Sequence, residues 1–129
     1  MSTEQNKAVV RRFIEQTLNN MDNDLVDELF APDYVNHLVP GGREGFKQFF
    51  PMLHSAYPDL KWHFNVERLM AEGDYVMGRA TMHVTNGGKE ATGSGLAEFR
   101  LVNGKIVEDW PISEVAALLQ QVGVTLPSG

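Results

Sequence analysis

The hydrophobic period of the chain changes once, close to Lys61. Before this residue, the side chains of one face recur at helical spacing, as in the stripe formed by Val10, Phe13, Ile14, Thr17, Leu18 and Met21. After it, apolar and polar residues alternate, beginning with Trp62, Phe64 and Val66. Helices followed by strands predict an α+β fold in which the helices gather on one face of an antiparallel sheet.

Three helices are predicted in the N-terminal half. Ser2 or Thr3 can cap the first, and Gln5 lies three residues after Ser2, as a capping box requires. The second and third helices bury Val26, Leu29 and Phe30, and then Phe46, Phe49, Phe50 and Leu53. Pro32 ends the second helix. The residues from Tyr34 to His37 then form a brief extended segment.

Four strands are predicted in the second half. They begin at Lys61 and continue with Tyr75 to Val84, Gly93 to Leu101 and Lys105 to Trp110. Asn103-Gly104 is the strongest hairpin signal in the chain. A last helix, capped by Ser113 and ended by Gly123, follows the strands. A bent sheet closed on one side by helices leaves a cone, whose mouth is a natural site for a small molecule.

Composition restricts the chemistry and the partners. The 129 residues fit a single domain, 1–129, and the formal charge of -6 without a basic cluster argues against a nucleic-acid partner. There is no cysteine, and no two histidines have metal-ligand spacing, so we expect no metal site. No apolar stretch approaches the ~20 residues of a membrane span, and the polar N-terminus is unlike a signal peptide. We therefore expect a cytoplasmic protein without a membrane partner.

Several short segments together resemble one protein family. They are Leu29–His37, Gly42–Phe46, Tyr57–Leu60, Ala71–Val76, Phe99–Arg100, Asn103–Trp110 and Leu118–Gly123. In this order they resemble the SnoaL-like polyketide cyclases, within the superfamily that also contains nuclear transport factor 2 and ketosteroid isomerase. The resemblance implies a cone-shaped, strongly curved antiparallel sheet packed on the N-terminal helices, with an inner cavity. It also implies a homo-oligomer of two or more copies, and it is not specific for an activity.

The resemblance further implies a type of chemistry. The family's studied cyclases close a ring by intramolecular aldol condensation, without a metal or an organic cofactor. A buried Asp directly after the Trp of the fourth strand acts as general acid and base, aided by a His on the preceding strand. Here Pro111 follows Trp110, and Ala97 stands where the His is expected. Neither side chain can transfer a proton, so the family's mechanism does not carry over residue by residue.

Asp109 is the first candidate for a catalytic acid and base, because a carboxyl group in an apolar cavity can have its pKa raised into a useful range. Its orientation depends on the preceding hairpin. A two-residue loop places Asp109 opposite Glu98, whereas a three-residue loop that ends in a bulge places it opposite Ala97, on the face with Phe99. A slip of one residue turns the side chain from the cavity to solvent. The family comparison favours the bulged register, and the residues alone leave both open.

His37 is the second catalytic candidate, because a His beside an apolar cavity can donate to an oxyanion or carry a proton near neutral pH. Tyr34 is a further candidate to assist. The expected ligand contacts are Tyr34, Phe49, Phe50, Phe99 and Trp110. Two functions fit this pattern: a cofactor-independent cyclase or isomerase acting on a small apolar carbonyl compound, and a non-catalytic ligand-binding or scaffolding member of the same fold. Both have a small molecule as the expected ligand.

Overall fold

The computed structural model describes residues 2–111 and 115–125. Its helices are α1 (Thr3–Arg12), a π-helical segment (Phe13–Leu18), α2 (Val26–Leu29), α3 (Gly42–Ala56) and α4 (Val115–Gln121). The expected capping box is confirmed, since Ser2 Oγ accepts from the Gln5 N–H at 3.1 Å and Gln5 Oε1 accepts from the Ser2 N–H at 2.9 Å. The expected cap at Ser113 lies outside the described residues. None of the described helices is long and apolar enough to cross a membrane.

The strands form one sheet. They are β1 (Phe30–Asn36), β2 (Leu60–Glu72), β3 (Tyr75–Asn86), β4 (Lys89–Val102) and β5 (Lys105–Pro111). Their order is β1-β5-β4-β3-β2, with β1 parallel to β5 and the other neighbours antiparallel. The expected α+β class is confirmed, with a mixed, open sheet in place of a wholly antiparallel one.

The structure has one strand more than the four predicted, namely β1, and it comes from the segment that was expected to be only briefly extended. It begins at Phe30, where the second helix was expected to continue, and it lies at one edge of the sheet. Pro32 lies inside β1. Proline has no N–H to donate, and an edge strand tolerates it because one side of the strand needs no partner. The parallel pairing with β5 brings Asn36 beside Asp109.

The hairpin between β4 and β5 turns at Asn103 and Gly104, as expected. Both residues have positive φ, 51° and 77°, and Val102 pairs with Lys105 across the turn. Positive φ at both central positions is the conformation of a two-residue type I′ turn, which Asn-Gly adopts with the least strain.

The register of this hairpin shifts at Val107, where β5 carries one extra residue and forms a bulge. Beyond the bulge, Asp109 lies opposite Phe99, and not opposite Glu98 or Ala97 as the two expected registers had it. Opposite residues share a face of the sheet, so Asp109 points inward with the buried Phe99 ring. Of the two alternatives left open, the turn is therefore the two-residue one, and the bulge at Val107 decides which side the carboxyl group occupies.

Aromatic rings hold the helices against the inner face of the sheet. Phe30 and Tyr34 stack with their ring centroids 4.0 Å apart, and Phe46 meets the Phe30 ring edge-on at 5.1 Å. Phe13 of the π-helical segment lies 5.8 Å from Phe99 of β4. The first of these contacts lies within β1, whereas the other two join α3 to β1 and the π-helical segment to β4. The cluster therefore holds α3 and the π-helical segment against the sheet.

Candidate functional site

A cavity of about 110 Å³ lies between the inner face of the sheet and the helices. The π-helical segment, α3, the loop after β1 and strands β2 to β5 all contribute to its wall. Its aromatic lining consists of Phe13, Phe46, Phe49, Trp62, Phe64 and Phe99. Leu38 and Pro111 also line it and are only half-buried, so the cavity approaches the surface beside them.

Small residues on β3 and β4 leave the space that the cavity occupies. Gly78 lies opposite Ala97, Ala80 lies opposite Gly95, and all four line the cavity. The next inward position of β4 carries the large Phe99 side chain, so the space is local. The small side chains at these two neighbouring pairs leave room beside the inner face of the sheet. Part of the space above Gly78 is filled by Leu69, whose Cδ2 would lie 2.9 Å from a Cβ added there.

Among the described residues of the cavity wall, Asp109 provides the one carboxyl group. It is only 3% exposed, and it lies on β5 among apolar neighbours. Its Oδ1 is buried and has no hydrogen-bond partner among the described residues. Buried polar atoms in folded proteins nearly always have a partner, and exceptions often mark functional groups. Oδ1 is therefore the atom of this site that a ligand would be expected to meet.

Tyr34 and Asn36 of β1 hold the other oxygen of Asp109. The Tyr34 hydroxyl donates to Asp109 Oδ2 at 3.4 Å, and Asn36 Nδ2 donates both to the Tyr34 hydroxyl oxygen at 2.8 Å and to Oδ2 at 3.4 Å. Alternate residues of a strand share a face, so Tyr34 and Asn36 reach Asp109 together. Because Asn36 donates to the Tyr34 oxygen, the hydroxyl hydrogen is left for Asp109.

The surroundings of Asp109 change its proton affinity. Burial in the apolar cavity raises the pKa of Asp109 from 3.8 to about 7, and the Tyr34 hydrogen bond acts against this by lowering it. Burial also raises the pKa of Tyr34 well above 10, and the Asp109 charge adds to that effect. Near neutral pH, Tyr34 is therefore a hydrogen-bond donor, while Asp109 is divided between its acid and its carboxylate.

The expected aromatic contacts lie in different places. Phe49 and Phe99 line the cavity, and Phe50 is buried behind them in the core. Tyr34 is also behind the wall, where it contacts Asp109. Trp110 is only half-buried and stacks on another ring outside the cavity lining.

His37 lies on the outer side of the sheet with Trp110. The two rings are 5.1 Å apart and nearly parallel, and the His37 side chain is 42% exposed. His37 Nε2 lies 2.7 Å from Glu108 Oε2, and Arg100 Nε donates to Glu108 Oε1 at 3.3 Å. The His37 contact, followed by that of Arg100, lowers the pKa of Glu108. The His37 backbone N–H donates to the Asp109 backbone oxygen at 2.9 Å, but the imidazole contacts Glu108 and not the Asp109 carboxyl group.

Pro111 and Ala97, which occupy the positions expected for the family's Asp and His, both line the cavity. These two positions therefore face the cavity, as catalytic side chains would, but proline and alanine side chains cannot transfer a proton. Asn36 was missed from the sequence, although its spacing of two residues from Tyr34 on an extended segment would have placed both on one face. Among the described residues, no group of three or more His, Asp or Glu side chains could hold a metal ion.

Comparison with solved structures finds the same fold in several proteins. A protein of Bacillus cereus ATCC 10987, provisionally described as a polyketide cyclase, has a TM-score of 0.77 at 22% identity over 98% of this chain and 87% of its own. IdmH of Streptomyces antibioticus, with a similar provisional description, has a TM-score of 0.74 at 27% identity, with coverage of 93% and 99%. An LEH-like epoxide hydrolase of M. tuberculosis has a TM-score of 0.71 at 19% identity, with coverage of 93% and 90%.

The sequence itself gives a second, independent comparison. No curated protein matches the chain. The family model of the SnoaL-like polyketide cyclases matches residues 8–122. This range includes every described residue that lines the cavity. The chain therefore belongs to the SnoaL-like polyketide cyclase family.

Proposed function

We propose that this chain binds a small, mainly apolar carbonyl compound in the cavity, and that Asp109 moves a proton at the carbon next to the carbonyl group. The reaction is of the cofactor-independent cyclase or isomerase type. The observation that carries the proposal is the unpartnered Oδ1 of a buried carboxyl group in an apolar cavity. Family membership supports the fold and the place of the site, but the same fold is shared with an epoxide hydrolase, so it does not fix the reaction.

The two forms of Asp109 have complementary roles in this proposal. As a carboxylate, it takes a proton from the carbon acid and leaves an enolate. As a carboxylic acid, it returns that proton to a second carbon or to the oxygen. A pKa of about 7 makes both forms available near neutral pH, which is the condition for general acid–base catalysis. Tyr34 assists by holding Oδ2, so that Oδ1 is the oxygen that exchanges the proton.

Hydrogen exchange tests the proposal without knowledge of the natural substrate. Three simple ketones, cyclohexanone, 2-cyclohexen-1-one and acetophenone, are incubated with the protein in deuterium oxide, and the loss of the exchangeable C–H signals is followed by proton NMR. We expect wild type to accelerate exchange in at least one ketone. The Asp109→Asn variant should lose that acceleration, by roughly 100-fold or more where the wild-type rate permits the measurement.

Glu108→Gln is the matched control, because Glu108 is the neighbouring carboxylate on the same strand and points to the outer side. It should exchange hydrogen at the wild-type rate. Equal acceleration by wild type and Asp109→Asn, or no acceleration of any of the three ketones by wild type, would contradict the proposed proton transfer.

Binding without catalysis is the second candidate function. Pro111 and Ala97 favour it, because they put two inert side chains on the cavity wall at the places where the family's cyclases have an Asp and a His. In that case the ketones would bind, but their hydrogens would exchange no faster than in buffer.

A further inference from the structure

The polar side chains of the described cavity wall are very few. The lining is almost wholly apolar, and among its described residues only Asn36 and Asp109 carry a polar side chain besides Trp62. The Trp62 indole N–H is already used, because it donates to the backbone oxygen of Leu18 at 2.6 Å. Among the side chains of the described wall, a ligand can therefore form a hydrogen bond only to Asn36 or Asp109.

Asn36 has no free hydrogen-bonding group. Its Oδ1 accepts from the backbone N–H groups of Leu38 and Val39, at 2.7 and 2.9 Å. These two bonds fix the orientation of the amide, because only the oxygen can accept them. Nδ2 must then face β5, where it donates to the Tyr34 oxygen and to Asp109 Oδ2. Asn36 lines the cavity, but both ends of its amide are occupied by the protein.

Asp109 Oδ2 is occupied in the same way, because the Tyr34 hydroxyl and Asn36 Nδ2 both point at it. Oδ1 is the remaining atom. It is buried, it has no partner among the described residues, and it belongs to a residue that lines the cavity. The side chains of the described wall therefore offer a ligand one free hydrogen-bonding atom, surrounded by aromatic and small apolar groups.

We propose that the cavity selects neutral, hydrocarbon-rich ligands that carry a single oxygen at their buried end, and that this oxygen bonds to Asp109 Oδ1. This inference deepens the proposed function and rests on its assignment of the ligand to this cavity. A second oxygen at the buried end would lose its water and find no partner, and a charged group would lose more. The cavity thus disfavours ligands with a second oxygen or a charge at the buried end, because these groups would lack a hydrogen-bond partner.

Four probes that share one six-membered aromatic ring test the inference. They are benzene, phenol, resorcinol and benzoate, which carry no oxygen, one hydroxyl, two hydroxyls and a charged carboxylate. Each is titrated into labelled protein at about pH 6, where a carboxyl group with a pKa of about 7 is mostly protonated, and the amide shifts of Ala97 and Asp109 are followed by NMR. We expect phenol to bind tightest, with resorcinol and benzoate weaker by roughly tenfold or more.

Two variants locate the preference. Asp109→Leu keeps a side chain of similar size but removes the free oxygen, so benzene should still bind and the advantage of phenol over benzene should disappear. Ala97→Leu puts a larger side chain on the cavity wall and should weaken the binding of all neutral probes. Ala8→Leu, at an exposed position of α1, should leave their binding unchanged. The second pair keeps the test decisive if Asp109→Leu does not fold.

The outcomes separate this inference from the proposed proton transfer. A phenol preference that depends on Asp109, without hydrogen exchange in the ketones, would support the ligand class and overturn the catalytic role. Resorcinol or benzoate binding as tightly as phenol would overturn the ligand class. Failure of all four probes to shift the cavity amides would also overturn it.

Discussion

Asp109 combines three effects that act on one carboxyl group. Burial favours its neutral form, the Tyr34 hydroxyl favours its charged form, and Asn36 fixes the hydroxyl in place. Burial dominates, so the pKa of Asp109 is raised to about 7. Removal of the Tyr34 hydroxyl should therefore change the pKa of Asp109 in a definite direction.

The stability of the protein should carry the signature of this carboxyl group. The pKa of Asp109 in the folded chain is raised above that of the unfolded chain, so the folded state binds more protons between about pH 4 and 7, and stability falls as pH rises through that window. Asp109→Asn removes this dependence. In urea titrations, the free energy of unfolding of the variant relative to that of wild type should rise by up to about 4 kcal/mol from pH 4 to pH 8. If the two proteins differed in free energy of unfolding by the same amount at both pH values, the raised pKa of Asp109 would be refuted.

Tyr34→Phe tests the opposing effect. The hydroxyl lowers the pKa of Asp109, so its removal should raise that pKa further above 7. The carbon-13 shift of the Asp109 carboxyl group, followed against pH, reports this directly. An unchanged or lower midpoint in Tyr34→Phe would mean that the hydrogen bond to Oδ2 does not form.

At the scale of the elements, the site depends on two irregular features. The bulge at Val107 turns Asp109 to the inner face, and the parallel pairing of β1 with β5 brings Asn36 beside it. The bulge works only if the turn before it starts the pairing in the correct register. That turn depends on Gly104, because its φ of 77° is costly for any residue with a Cβ.

Gly104→Ala should therefore destabilise the protein by about 1 kcal/mol in a urea titration. Gly88→Ala is the matched control in the β3–β4 turn, since Gly88 lacks a positive φ and a Cβ added there would meet no atom within 4 Å. It should be neutral or slightly stabilising. Equal losses in the two variants would contradict the assigned turn.

At the scale of the whole molecule, much of the architecture follows from sequence periodicity. The stripe from Val10 to Met21, the change of period near Lys61 and the Asn103-Gly104 turn were enough to predict the first helix, the start of the run of strands and the last hairpin. The parallel pairing of β1 was not predictable, because pairing partners far apart in the chain leave no local pattern. The bulge adds one apolar residue, Val107, to an alternating strand. Nothing in the sequence distinguishes this valine from a regular strand residue, so the bulge was not predictable either. Asp109 was therefore identified as a candidate, while its orientation was not.

The expected homo-oligomer is also a property of the whole molecule. The outer face of the sheet exposes Met70 and Met77, which lie opposite each other on β2 and β3, and Tyr75 beside them. We expect light scattering to give at least twice the 14.4 kDa mass of one chain. Met77→Lys should lower that mass. Met52→Lys, at an exposed position of α3, should leave it unchanged. A mass of one chain at micromolar concentration would count against association.

The most direct test of the account is the titration of the Asp109 carboxyl group in the wild-type protein. Selective carbon-13 labelling of aspartate, with Asp109→Asn to assign the signal, gives its midpoint by NMR. The account predicts a midpoint of about 7, together with a shift of the signal when phenol is added. A midpoint near 4, the value of an exposed aspartate, would place the group in water and remove the basis for both the proton transfer and the selected ligand.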